Sequence, residues 1–218
     1  MTKFKAIIFD MDGLLLDTER YAREAFEATC VSLEITYNES VYLRCIGTHA
    51  QATDRLLSQE MQGLNDIAAF RKAWHQTYQQ LTAECASLLK DGVKDLLRHI
   101  DALGLPAAVA TSSKTETAHT KLEAEGILSC FQHVIGGDQV ARSKPEPDIY
   151  LRAAEALDVA PSHCLALEDS ENGVRAALAA GMTVVQIPDL IAPGPELRRL
   201  GHLVLPSLTE LIGLLRNK

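Results

Sequence analysis

The chain has 218 residues, 47% of them apolar and 23% charged, and a net charge of −8, the proportions of a soluble globular protein with room for one or two domains. No basic block or Lys/Arg stripe interrupts the acidic balance, which argues against nucleic acid or a membrane surface as partner, and no apolar run approaches the ~20 residues of a membrane span. The five cysteines form no C-x-x-C pair and the seven histidines no H-x-x-x-H pair, so free thiols in a reducing cytoplasm are expected and a zinc site is poorly supported.

The N-terminal apolar run is short, ends on an acid and lacks a small-residue cleavage site, so it does not read as a signal peptide. Ala6 to Phe9 shows no polar alternation, as expected of a strand buried on both faces of a parallel sheet. It stops at Asp10, and Asp12 and Gly13 follow. Ligands of open α/β sheets bind just beyond the carboxyl ends of the strands, so this pair of acids stands where such a fold does chemistry. Further on, Ala22, Ala25, Phe26, Thr29 and Leu33 mark one amphipathic helix, and Ile67, Phe70, Trp74, Tyr78 and Leu81 mark another. Nothing between them alternates like a strand. Residues 18–87 are therefore expected to form an all-helical insertion in an α/β domain made of 1–17 and 88–218. An insertion at that point can act as a lid over the strand ends.

From residue 88 onward, apolar runs alternate with helical patterns. Val93, Leu96, Leu97, Ile100 and Leu103 keep helical spacing, with Asp91 as candidate N-cap and Gly104 as stop. Ala107–Ala110 reads as a strand, and Ser113 with Glu116 as a capping box for a helix running to about Gly126. His133–Ile135 is a further strand. A helix carrying Tyr150, Ala153, Ala154 and Leu157 leads to the strand Cys164–Leu167. Ser170 can cap the next helix and Gly181 end it. Thr183–Ile187 and Leu203–Leu205 complete the strands, and Ser207 with Glu210 makes a second capping box before the last helix. Such alternation predicts a Rossmann-like parallel sheet with helices on both faces.

Four pieces fall at the same sheet edge: Asp10 and Asp12, then Thr111-Ser112-Ser113, then Lys144 ahead of a helix, then Glu168 and Asp169. Singly, each has an ordinary alternative: a surface turn, a helix cap, a solvated lysine, acids favouring a helix dipole. Together, the carboxylates would repel unless they are protonated or share a cation. An all-oxygen ligand set suits a hard ion, for which Mg²⁺ is the natural candidate. Thr111 and Ser112, at a helix N-terminus, could hold a phosphate, and Lys144 adds a point charge for the same group.

In their order, these motifs resemble the haloacid dehalogenase superfamily, in the branch of β-phosphoglucomutase and the small sugar-phosphate phosphatases. Phe9-Asp10-Met11-Asp12-Gly13 with Asp17-Thr18-Glu19 resembles the first motif and Ala110-Thr111-Ser112-Ser113 the second. Lys144-Pro145-Glu146-Pro147-Asp148 resembles the third, and Leu167-Glu168-Asp169-Ser170 with Gly173 the fourth. The resemblance spans nearly the whole chain, and residues 18–87 would be its helical cap. It implies that Asp10 is a nucleophile forming an aspartyl-phosphate and that Asp12 is the general acid and base. It also implies that Mg²⁺ is held by Asp10, Asp169, the backbone carbonyl of Asp12 and, directly or through water, Glu168. Thr111, Ser112 and Lys144 would hold the phosphoryl oxygens.

Dehalogenases and phosphonoacetaldehyde hydrolases of this fold lack an acid at the position of Asp12, so phosphoryl transfer is favoured. Mutases of the branch carry a His four residues after the first-motif Thr and an Arg in the cap loop. Those places here are Ala22 and Ala50, which favours hydrolysis. The expected activity is a Mg²⁺-dependent phosphatase acting on a small phosphorylated metabolite, with a phosphosugar mutase or a catalytically idle binding protein as alternatives. Thr18, Thr48, His49 and Trp74 are the candidate substrate contacts of the cap, each with a plain structural alternative. A monomer or weak dimer is expected.

Overall fold

The computed structural model describes residues 4–46 and 50–216. The chain divides into two compact units, one being Thr18–Leu88 and the other the segments on either side of it.

The second unit is an α/β layer structure. Its strands are β1 (Ala6–Phe9), β2 (Ala107–Ala110), β3 (His133–Ile135), β4 (Cys164–Glu168), β5 (Thr183–Gln186) and β6 (Leu203–Val204). They form one parallel sheet in the order β3-β2-β1-β4-β5-β6. β1 is central and its four residues are buried on both faces, which is why its sequence lacks alternation. The chain winds from β1 toward β2 and β3 in one direction and from β1 toward β4 to β6 in the other. The reversal lies at β1, the topological switch point where doubly wound sheets open a crevice.

Alternate residues sort onto the two faces. Ala6 and Ile8 of β1, Ala108 and Ala110 of β2 and Ala166 of β4 pack with Ile149, Ala153 and Val174 in one core cluster. Small residues on this face let the helices that carry the last three, given below, lie close against the sheet. On the other face, Phe9 meets Phe131 edge to face at 5.6 Å.

The helical unit contains α1 (Thr18–Ser32), α2 (Glu39–Cys45), α3 (Ala50–Glu60) and α4 (Ile67–Glu84). Phe26 of α1 is fully buried and its ring faces Tyr42, Phe70 and Trp74 at centroid distances of 5.3, 5.3 and 5.0 Å. The caps Asn38 and Asp66 accept backbone N–H groups at the starts of α2 and α4, satisfying donors that have no partner within the helix.

The remaining helices are α5 (Val93–Ala102), α6 (Thr115–Ala124), α7 (Asp148–Ala156), α8 (Glu171–Ala179), α9 (Pro195–Arg198) and α10 (Leu208–Arg216). Ser170 caps α8 by accepting the Gly173 N–H at 3.1 Å, and Ser207 accepts the Glu210 N–H at 3.4 Å. Two capping expectations are corrected. Gly92, at φ 84°, is the N-cap of α5 in place of Asp91, and no side chain caps that helix. A Cβ at Gly92 would lie 2.9 Å from Thr209 Oγ1, so close packing on α10 favours glycine there. Lys114, not Ser113, precedes α6 and makes no capping bond; the Ser113 hydroxyl is used elsewhere, and Asp138 Oδ1 accepts the Thr115 N–H at 2.7 Å. The described cysteines are free thiols, and no helix among the described residues is long and apolar enough to cross a membrane.

Candidate active site

The site begins where β1 stops. The Asp10 N–H still pairs with the Leu167 carbonyl of β4 at 2.9 Å, so the ladder holds Asp10 to the last residues of β4. The chain then reverses. Leu15 and Leu16 donate to the Met11 carbonyl at 2.9 and 3.0 Å, and Gly13 donates to Leu16 at 2.8 Å. Gly13 sits at φ 86°, a conformation that costs a side-chain-bearing residue energy. A Cβ there would also strike the carboxylate of Asp169.

Asp10, Glu168 and Asp169 converge, with one oxygen from each lying within 4.8 Å of the others. Lys144 enters from the segment ahead of α7. Its ammonium donates to Asp10 Oδ1 at 2.5 Å, Glu168 Oε1 at 2.6 Å and the Ala110 carbonyl at 3.1 Å. Glu168 is fully buried and accepts from five donors. Lys144 and Tyr150 Oη reach Oε1, while the Asp169 N–H, the Ser170 N–H and Ser170 Oγ reach Oε2. That exhausts the acceptor capacity of a carboxylate.

Three carboxylates beside one ammonium leave an excess of negative charge in a buried place. Burial above all, with help from Glu168 and Asp12, pushes Asp10 up to about 8 against the pull of Lys144. Burial and the charges of Asp10 and Glu168 raise Asp169 in the same direction. Burial alone would lower Lys144, but Asp10 and Glu168 outweigh it and hold the ammonium above its ordinary range. Either protons or a cation must offset the excess. An all-carboxylate donor set fits a hard divalent cation.

Asp12 is kept apart from this cluster. Ser113 Oγ donates to its Oδ2 at 2.8 Å and Lys121 Nζ to its Oδ1 at 2.7 Å. Thr111 is buried, gives its N–H to Ile135 at 3.0 Å and accepts the Ser113 N–H on Oγ1 at 3.1 Å, an arrangement that leaves its own O–H as a donor. Ser112 beside it is exposed.

The candidate contacts of the helical unit fare differently. Thr18 is the buried first residue of α1. Trp74 stands in the aromatic cluster with its indole N–H given to the Ala22 carbonyl at 2.9 Å, so its polar atom is already used inside that unit. Thr48 and His49 lie outside the described residues. Lys121 and Tyr150 are absent from the residues that the motifs single out. Lys121 comes ten residues after Thr111, and Tyr150 reads in sequence only as an apolar-face residue. Neither carries a local signal for the carboxylate it meets.

The sheet order, its reversal at β1 and the buried acids with their lysine define an α/β enzyme of the Rossmann-like class. The chain belongs to the haloacid dehalogenase-like hydrolases, a family that matches residues 7–187. The phosphorylated carbohydrates phosphatase of Thermotoga maritima is 30% identical over 216 residues, covering 98% of this chain and 99% of that protein. A variant of CbbY from Rhodobacter sphaeroides, solved with xylulose-(1,5)bisphosphate, superposes with a TM-score of 0.74 at 32% identity, over 95% of this chain and 96% of that one. A HAD family hydrolase from Deinococcus radiodurans with bound phosphate and sodium gives a TM-score of 0.82 at 26% identity, over 97% and 94%. Within this family the chain is a phosphoric monoester hydrolase.

Proposed function

We propose that the protein is a Mg²⁺-dependent phosphatase of a small phosphorylated metabolite, a sugar phosphate in the first instance, working through an aspartyl-phosphate on Asp10. The observation that carries this reading is the division of the acids. Asp10, Glu168 and Asp169 share one buried cluster with Lys144, while Asp12 is held separately by Ser113 and Lys121. One carboxylate can then stay ionised to attack while its neighbour moves protons.

In the first step the Asp10 carboxylate attacks phosphorus and the bond to the leaving oxygen breaks. Asp12 delivers the proton that oxygen needs. In the second, Asp12 takes a proton from water, the water oxygen attacks phosphorus, and phosphate leaves Asp10 free. Lys144, the Thr111 hydroxyl and Ser112 serve the phosphoryl oxygens, whose charge shifts in the transition state. Asp10, Asp169 and the Asp12 carbonyl would hold Mg²⁺, with Glu168, whose oxygens are already filled by donors, adding its negative charge beside them and anchoring Lys144. The bound ion supplies the positive charge that keeps Asp10 ionised. The helical unit joins the chain directly after the loop that follows Asp10, and we read it as the cap.

A near full-length relative named for phosphorylated carbohydrates supports the substrate class. Ala22 and Ala50, where the resembling mutases carry polar groups, favour water as acceptor. Phosphate release across a panel of sugar phosphates, polyol phosphates and nucleoside monophosphates is the test. Activity with Asp10→Asn or without a divalent cation would count against the mechanism. Conversion of β-glucose 1-phosphate to glucose 6-phosphate faster than phosphate release would establish the mutase.

A further inference from the structure

Asp189 has no part in the chemistry above, yet it borders the same acids. It follows β5, where the Ile187 N–H donates to the Glu168 carbonyl at 2.7 Å. Its Oδ1 is ion-paired with Lys90, whose ammonium also donates to the Gly13 carbonyl at 3.0 Å. Its side chain is only 10% exposed, and its Oδ2 is buried with no hydrogen-bond partner among the described residues. A buried carboxylate oxygen without a donor is costly, so a donor that the described residues do not provide is expected beside it. Gly13 shows where that donor would sit. A Cβ at Gly13 would touch Asp169 Oδ2 and lie 3.4 Å from Asp189 Oδ2, so the two oxygens face one small space kept open by the missing side chain.

We propose that Asp189 is a positioning residue for the cation, its Oδ2 accepting a hydrogen bond from a water bound to the ion that Asp10 and Asp169 hold. Lys90 occupies the opposite oxygen, which leaves Oδ2 for the water. Mg²⁺ gives up its waters reluctantly and is commonly bound through them, and partners of such waters tune affinity. The inference rests on the metal reading given under Proposed function.

The test is calorimetric titration of Mg²⁺ into the metal-free parent, Asp189→Asn and Lys90→Met. Asp189→Asn keeps an oxygen for Lys90 but loses the second carboxylate oxygen, and its Mg²⁺ affinity falls about ten- to a hundredfold. Lys90→Met breaks the same ion pair, keeps the carboxylate and removes a positive charge, so it binds Mg²⁺ at least as tightly as the parent. Parental affinity in Asp189→Asn, or equal weakening in both variants, overturns the inference, the second outcome because Asp189 would then act only through Lys90 and the Gly13 turn. A parent that binds no Mg²⁺ overturns the metal reading itself. Should Asp189→Asn not fold, Asp189→Ser takes its place in the same titration.

Discussion

Lys144 carries one positive charge between two buried carboxylates, Asp10 and Glu168, and Asp169 adds a third acid that it cannot offset. The pH dependence of the metal-free protein follows from this shortage. Burial raises Asp10 from 3.8 to about 8, so the folded chain holds that proton more tightly than the unfolded one. The resulting stabilisation is complete below the unfolded value and is lost as pH rises through the folded one. The metal-free protein is therefore expected to melt at progressively lower temperature from about pH 4 to about pH 8, and saturating Mg²⁺ to flatten that slope. Thermal melts across this range, with and without the ion, check it. The acids and Lys144 were legible in the sequence because each ends a strand or precedes a helix at one edge. The partners of Asp12 were not. Ser113 resembles a helix cap until its hydroxyl is seen to reach Asp12, and Lys121 meets the same carboxylate from 109 positions away.

At the scale of the element, β4 and α8 form the rigid corner of the site. Glu168 is the last residue of β4, Ser170 caps α8, and Gly173 lies in its first turn. A Cβ at Gly173 would fall on the Glu168 carboxylate, so glycine here makes room for the acid that anchors Lys144 and Tyr150. Gly173→Ala is expected to cost about 1–3 kcal/mol from overpacking and to weaken Mg²⁺ binding by displacing Glu168 and Asp169. Urea unfolding and metal titration of the variant report the two effects. The strands were readable because burial on both faces leaves uninterrupted apolar runs. α2 and α3 were not individually readable, since they are short helices with polar runs, and the insertion betrayed only its helical character. Asp91 misled because a side chain able to cap competes with a backbone that Gly92 bends more cheaply.

The whole molecule consists of two compact units. The residues proposed to hold the cation and the phosphoryl group all belong to the α/β unit, while the core of the helical unit is the ring cluster around Phe26. Phe26→Ala is expected to cost about 3–5 kcal/mol in the stability of the helical unit while leaving Mg²⁺ affinity at its parental value. Denaturation curves read beside metal titration would show the separation. The central claim, transfer of the phosphoryl group onto Asp10 before water takes it, is tested most directly by the stereochemistry at phosphorus. A thiophosphate monoester made chiral with ¹⁸O is hydrolysed in H₂¹⁷O and the configuration of the released thiophosphate is read. Two successive in-line displacements predict net retention, and net inversion would show a single direct attack by water and contradict the covalent route.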